Sequence, residues 1–374
     1  MTLQSSGQIS LGDIANEFGY TDGSSAKLGS YRTTNGQGNF PLTLGSLQYS
    51  SIDGGGSVPT SGQIKLSDFR STQLQTVVNF YGSGKGGNRL NAFSRYNSGD
   101  VTVVGGYRTR PTNTSGTRVK IHVNQNIGSE KNSVNHCALR TGNGWNSGTT
   151  LSVDVGPSGR IQGAGGDGGA GSVNNGSGNG GSTGTSGLGV EYTETAVNIA
   201  SGGVIAAGFG GGGGGAGGEQ TDKPGTRYAA GGGGGGAGGE QTDKPGTRYA
   251  AGGGGGGGAG LPVGLGGAGG ITNAGNGSGP GGAGSNAVQS GGTQGSGTAG
   301  DGGAGGNNDG EAGGSAGGEG GQAGNSADAG GNNDGTGGSG GADGSAIRRT
   351  SSGIVVDIND GSRVVPNAVA NGVA

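Results

Sequence analysis

The chain has 374 residues, of which 107 are Gly, with 27% hydrophobic residues and a formal charge of −3. Ordinary globular proteins hold roughly 7% Gly, so this composition excludes a conventional side-chain core running through the whole chain. A single Cys excludes an intrachain disulfide framework, and no stretch approaches the ~18 consecutive apolar residues of a membrane-spanning helix.

Glycine and charge both change character near residue 163. Residues 1–162 hold 26 Gly and carry 14 Lys/Arg against 8 Asp/Glu, a net +6; residues 163–344 hold 78 Gly, and the remainder after 162 sums to −9. The positive balance is dilute and reads as solvated surface, because nucleic acid requires basic residues clustered on one face. No nucleic-acid partner is expected. MTLQSSGQIS lacks a basic region ahead of an apolar run, so no secretory signal is expected and synthesis is cytoplasmic.

In chain order, residues 1–72 contain an echo: SGQISLGDI (6–14) returns as SGQIKLSDF (61–69). Ser10 and Asp13 have the spacing of a capping box ahead of the helical pattern Ile14, Ala15, Phe18. The turn-rich interval leaves little room for a core, which suggests an attachment module. Residues 73–162 read as a small antiparallel β-sandwich, with strands at VTVVGGY (101–107), RVKIHVN (118–124), VNHCALR (134–140) and LSVDV (151–155).

Residues 163–345 repeat Gly-Gly-X, for example with Gly at 297, 300, 303 and 306. A period of three fits neither the α-helix nor the β-strand; it fits the polyproline-II helix. With two of three columns Gly, such helices approach backbone to backbone and pair their N–H and C=O groups between chains. The pattern predicts a polyglycine-II sandwich with X facing water. Flexible linker is the alternative. Against it stand the short runs broken by NNDG turns, the inserted β segment at 188–207, and a terminal hairpin signal with Asp-Gly at its turn in IVVDINDGSRVV, within residues 346–374.

Catalytic chemistry finds no support. GxGxxG within low-complexity glycine has no strand–turn–helix context, and Gly84-Lys85 is followed by Gly86, so no phosphate loop forms. His122, His136 and Cys137 are too few for a metal site of three or four ligands. GGAGGNNDG (302–310) carries Asn307 where a calcium-binding repeat needs Asp. No enzyme activity, cofactor or metal is expected. Trp145, in a loop, either forms a contact surface or folds back over the strands.

One feature of the glycine region carries chemistry. EQTDKPGTRYAA occurs at 219–230 and again at 240–251. Pro-Gly marks a turn in each copy, and the 21-residue spacing is seven turns of a threefold helix. The two copies should therefore emerge at one edge of the slab. Tyr and Arg are enriched in binding hot spots, which makes Glu219, Asp222, Lys223, Arg227, Tyr228, Glu240, Asp243, Lys244, Arg248 and Tyr249 the candidate binding residues. Solvated connectors are the plain alternative.

SGQISLGDI and SGQIKLSDF resemble the opening of tailed-bacteriophage structural proteins, and the glycine region resembles the tip adhesins of T-even-type phage tail fibres. The resemblance implies a virion protein of the tail or tail fibre. Its N-terminal region, at Ile9, Leu11, Ile64 and Leu66, would attach to other tail or fibre proteins. The loops between glycine runs would contact a host cell-surface protein or glycan. A non-adhesive spacer or surface decoration, or an ice-binding protein with the same helix type, are the alternatives; the acidic X residues and charged loops argue against ice.

Overall fold

The computed structural model describes residues 3–18, 28–31, 33–34, 37–38, 52–54, 58–59, 61–80, 90–92, 101–104, 118–131, 133–145, 147–173, 176–219, 221–222, 225–226, 249–250, 252–270, 283, 286–287, 301, 316–322, 326–331, 336–359, 364–365 and 369–371. Apart from one short α-helix and two 3-10 turns, the regular structure among them is β, mostly in parallel sheets.

The echo near the N-terminus is a structural duplication. Each copy opens on a glycine in the left-handed region, Gly7 at φ 88° and Gly62 at φ 78°, where a side chain would be strained. Each then enters a short helix, α1 (Leu11–Phe18) in the first and a 3-10 turn (Leu66–Phe69) in the second. The Ser10 N–H donates to Asp13 Oδ2 at 2.8 Å and the Asp13 N–H donates back to Ser10 Oγ at 3.1 Å, the reciprocal pairing of a capping box. The Ser10 N–H and the Ser10 hydroxyl, both donating to Asp13 Oδ2, hold its carboxyl below its usual range. In the second copy the Lys65 N–H donates to Asp68 Oδ2 at 2.8 Å. Ile9, Ile14, Tyr31 and Phe69 share one small core, with Tyr31 and Phe69 edge to face at 5.9 Å. Short strands β1 (Thr33–Thr34), β2 (Gln37–Gly38) and β3 (Ile52–Gly54) lie between the copies.

Beyond this module the chain winds as a three-faced parallel coil. It opens with β4 (Thr72–Phe80), β5 (Leu90–Asn91) and β6 (Val101–Val104), the last antiparallel to β4. The next circuit is β7 (Arg118–Val123), β8 (Asn126–Gly128) and β9 (Cys137–Arg140). Another is β10 (Thr150–Val155), β11 (Arg160–Gln162) and β12 (Ser186–Val190). β13 (Thr195–Ile199) and β14 (Val204–Ala206) begin the following one. Each strand lies parallel to the one a full circuit earlier: β7 on β4, β10 on β7, β13 on β10, β11 on β8, β14 on β11, β9 on β5 and β12 on β9.

The expected antiparallel sandwich over 73–162 is therefore corrected. Its strands form, but apart from β6 they pair in parallel because each short connection turns the chain onto another face instead of back on itself. In-register pairing stacks like residues in columns: Val78, Ile121, Val153 and Val197 on one face, Ile127, Ile161 and Ile205 on the next, Leu139 and Leu188 on the third. All are fully buried, and each contributes about 1.5–3 kcal/mol of burial.

On the outer side of the first face, His122 stands opposite Asp154. Asn198 Nδ2 donates to Asp154 Oδ1 at 2.9 Å, and Lys120 Nζ lies 2.9 Å from Asp154 Oδ2. Burial lowers the His122 pKa to about 4, and Asp154 only partly opposes this. The fold thus holds a neutral imidazole that the unfolded chain protonates near pH 6.5. Between those values the unfolded state binds more protons, so stability falls as pH drops from about 6.5 to about 4. The loss is roughly 2–3 kcal/mol. Urea unfolding at pH 7 and pH 4.5 checks this: His122→Asn should remove most of the pH difference, and an unchanged difference would refute the assignment.

The glycine region leaves the coil twice, at the same corner: residues 163–185 between β11 and β12, and residues 207–346 after β14. Four short strands lie in the first part of the second excursion: β15 (Gly218–Glu219), β16 (Thr221–Asp222), β17 (Gly225–Thr226) and β18 (Tyr249–Ala250). The chain re-enters the coil at β19 (Ile347–Arg349) beside β12, then completes a circuit with β20 (Val356–Ile358), β21 (Val364–Val365) and β22 (Val369–Asn371). These pair in parallel with β13, β14 and β19. The expected C-terminal hairpin is therefore also corrected: its two arms lie on different faces, each adding to an existing column, as Ile358 does to Val197 and Val364 to Ile205.

The glycine runs hydrogen-bond to one another at every third residue. Gly166 and Gly169 N–H donate to Phe209 O and Gly212 O, and Gly208, Gly211 and Gly214 N–H donate to Thr185, Ser182 and Asn179 O, all at 2.7–2.9 Å. Phe209, Gly212 and Gly215 donate to Ala259, Gly256 and Gly253 O. Gly338, Gly341 and Gly344 donate to Gly214, Gly211 and Gly208 O; Gly318 and Gly321 donate to Gly213 and Gly210 O; and Gly213 donates to Asp328 O. The run 207–217 is thereby enclosed on all sides, with its backbone groups pointing successively to different neighbours. An added Cβ would sit 2.1 Å from Asp167 O at Gly211, 2.0 Å from Gly318 O at Gly212 and 1.8 Å from Gly338 O at Gly213. Enclosure explains why 210–215 is unbroken glycine. In outer runs the non-glycine residues Ser182, Glu319, Asp328, Ser339 and Ala342 are exposed.

Candidate functional site

Two ends of the glycine bundle differ in what they carry. At the coil end, Phe209 is buried with Ala206, Ala207 and Ala259, the Gly163 N–H donates to Ala206 O at 3.1 Å, and the Ser129 N–H donates to Leu261 O at 2.9 Å. Lys131 Nζ pairs with Asp167 Oδ1, which also accepts from the Leu265 N–H at 2.8 Å. These contacts tie the first glycine run to the coil.

The far end is one level of chain reversals. The Ser172 N–H donates to Gly215 O at 3.1 Å, Gly217 to Gly176 O at 2.8 Å, Ala216 to Gly331 O at 3.2 Å and Gly178 to Thr336 O at 3.0 Å. The Gly252 N–H donates to Ser172 Oγ at 3.1 Å, and Gly270 donates to Gly252 O. Among the described residues, Ser172 and Gly176, Gly217 and Gly252, Gly270, and Gly331 and Thr336 meet at this level. Val173 is 47% exposed there.

Both copies of EQTDKPGTRYAA lie in the sequence between Gly217 and Gly252. β15 pairs antiparallel with β18, which sets Glu219 opposite Tyr249 and Gly218 opposite Ala250. The start of the first copy is therefore joined to the end of the second. Within the first copy β16 pairs antiparallel with β17, with Asp222 opposite Gly225. Of the candidate binding residues, Glu219, Asp222 and Tyr249 lie on these strands. Lys223, Arg227, Tyr228, Glu240, Asp243, Lys244 and Arg248 lie outside the described residues.

The candidate attachment residues divide differently. Ile9 is buried, and Leu11 and Ile64 pack against the same small core. Leu66 is 38% exposed at the start of the second 3-10 turn. Three of the four residues hold their own module together, which leaves Leu66 as the apolar side chain offered outward.

Sequence reading missed two acidic residues of the bundle that bond backbone. Asp167 does so as described, and the Asp343 carboxylate accepts the Gly210 N–H at 2.8 Å, with burial raising its pKa. Both occupy X positions, where the repeat gives no sign of which carboxylates turn inward. Trp145 folds back: it is 5% exposed, belongs to the coil's core, and its Nε1 donates to Thr141 O at 3.1 Å. Cys137 is buried. Among the described residues no group of three or more His, Cys, Asp or Glu is placed to hold a metal ion, and no helix is long and apolar enough to cross a membrane.

No protein-family model matches the chain, and no curated protein is similar to it in sequence. Among solved structures it is similar to the gp37–gp38 adhesin tip complex of the bacteriophage S16 long tail fibre, at 18% identity, covering 84% of this chain and 88% of that chain, with a TM-score of 0.33.

Proposed function

We propose that the chain is a tail or tail-fibre protein of a tailed-phage virion that adheres to the host surface through the far end of its glycine bundle. On this reading the threefold runs are polyglycine-II helices packed as a slab, and the protein is a binder, not an enzyme. The observation that carries it is topological: among the described residues, the ends of successive glycine runs, including the two that flank the duplicated charged segment, meet at the end remote from the coil. A rigid backbone-packed slab presents such loops with little conformational freedom to lose on binding. The N-terminal duplication, resembling the opening of phage structural proteins, supports attachment to the virion at the other end, with Leu66 as its exposed apolar contact.

Replacement of Arg227, Tyr228, Arg248 and Tyr249 together by Ala is the direct test. Loss of a Tyr and Arg hot spot removes about 2–4 kcal/mol, so host adsorption should fall roughly 30- to 1,000-fold while the unfolding midpoint stays unchanged. Undiminished adsorption by a folded variant would eliminate these loops as the adhesive element and favour a spacer or decorative role.

A further inference from the structure

The duplication is longer than its charged segment. Residues 210–230 read GGGGGGAGGEQTDKPGTRYAA, and residues 231–251 repeat all 21 positions. The bundle core uses the glycine half of the first unit, since Gly210 to Ala216 are buried in the enclosed run. The excursion closes on the second unit, with Glu219 opposite Tyr249.

Within the first copy Thr221 pairs with Thr226 and Asp222 with Gly225. Tyr228-Ala229 is the counterpart, one unit earlier, of the Tyr249-Ala250 that closes the excursion here. The sequence therefore offers the same Tyr-Ala-Ala-Gly segment twice, 21 residues apart, and the second of them closes the excursion opposite Glu219.

We propose that 210–230 and 231–251 are interchangeable units: the chain can lose or gain one, keeping its bundle core and closing pair while only the reach of the far-end excursion changes. Removing either unit leaves the same sequence, in which Phe209 still leads into GGGGGGAGG and Ala230 is followed directly by Gly252. The excursion's length is then a stepwise variable that determines which surfaces the end can touch. That last consequence, but not the interchangeability, rests on the adhesive reading above.

Deletion of 231–251, and in parallel insertion of a third unit, tests this in the full chain. Loop-closure entropy changes slowly with length, so unfolding midpoints should stay within about 4 °C of the parent, with the deletion equal or higher. Gly213→Ala should still destabilise the shortened chain. A deletion midpoint lowered by more than about 4 °C, or loss of the folded bundle, overturns the proposal by showing that the second unit is needed beneath. Adsorption is read separately. A changed rate or host range in a stable one-unit chain supports the role of reach. Unchanged adsorption with intact folding refutes the role of reach and leaves interchangeability standing.

Discussion

Gly213→Ala is expected to unfold the glycine bundle. The added methyl would lie 1.8 Å from Gly338 O and 2.5 Å from Gly338 C, far inside any real contact. Overpacking in an ordinary core costs about 1–3 kcal/mol because neighbouring side chains shift. Here the neighbours are backbone, and Gly338 is itself bonded through its N–H to Gly214 O at 2.8 Å. Relief requires the run 336–344 to move as a unit and break its threefold bonds. A Gly-to-Ala change also stabilises by about 0.4–1 kcal/mol through the unfolded chain, too little to compensate. The expected loss exceeds about 3 kcal/mol, read as a lowered unfolding midpoint and new protease cleavage in 163–344. Ser339→Ala, at an exposed position of the same neighbouring run, should change stability by less than about 0.5 kcal/mol. Equal behaviour of the two variants would refute packing by backbone contact.

Glu191→Ala should damage the coil by a different route. Glu191 follows β12, and its side chain is 4% exposed. It pairs with Arg140 Nη2 and accepts the Gly142 N–H at 3.1 Å, while its own N–H donates to Thr141 Oγ1 at 2.9 Å. Thr141 in turn donates its N–H to Gly189 O and accepts from Trp145 Nε1. Removing the carboxylate leaves a buried N–H and a guanidinium, itself 24% exposed, without their acceptor. Breaking a buried pair costs about 3–5 kcal/mol; the partial exposure of Arg140 places this variant near 3. Glu191→Gln keeps an acceptor for Gly142 and should lose about half as much. Trp145 provides a local readout, since loosening of this corner should shift its fluorescence to the red. A loss below about 1 kcal/mol with unshifted emission would show that the cluster is dispensable.

Legibility followed the range of the interactions. The capping pattern at Ser10 and Asp13 was visible because its partners are three residues apart. Strands 118–123, 137–140 and 150–155 were visible as apolar runs, but not their direction of pairing. Alternation tells which residues face inward; it does not tell whether the next strand in space is the next in sequence or one circuit later. The candidate loops were visible as charged interruptions in glycine. That Glu219 lies opposite Tyr249 was not, since a duplicated segment carries no information about which copy closes the excursion.

The sequence by itself determined the local periods: two in the strands, three in the glycine runs, and twenty-one in the duplicated unit. Each is a property of neighbouring residues and the backbone they restrict. Only the tertiary structure decided that the strands stack as a parallel coil, that both glycine excursions leave one corner of it, and that Gly210 to Gly214 lie enclosed with no room for a methyl. Those outcomes depend on which segments meet, and backbone hydrogen bonds between glycines are chemically alike. Their partners are selected by where the coil sends the chain, so the bundle takes its arrangement from the side-chain core beside it.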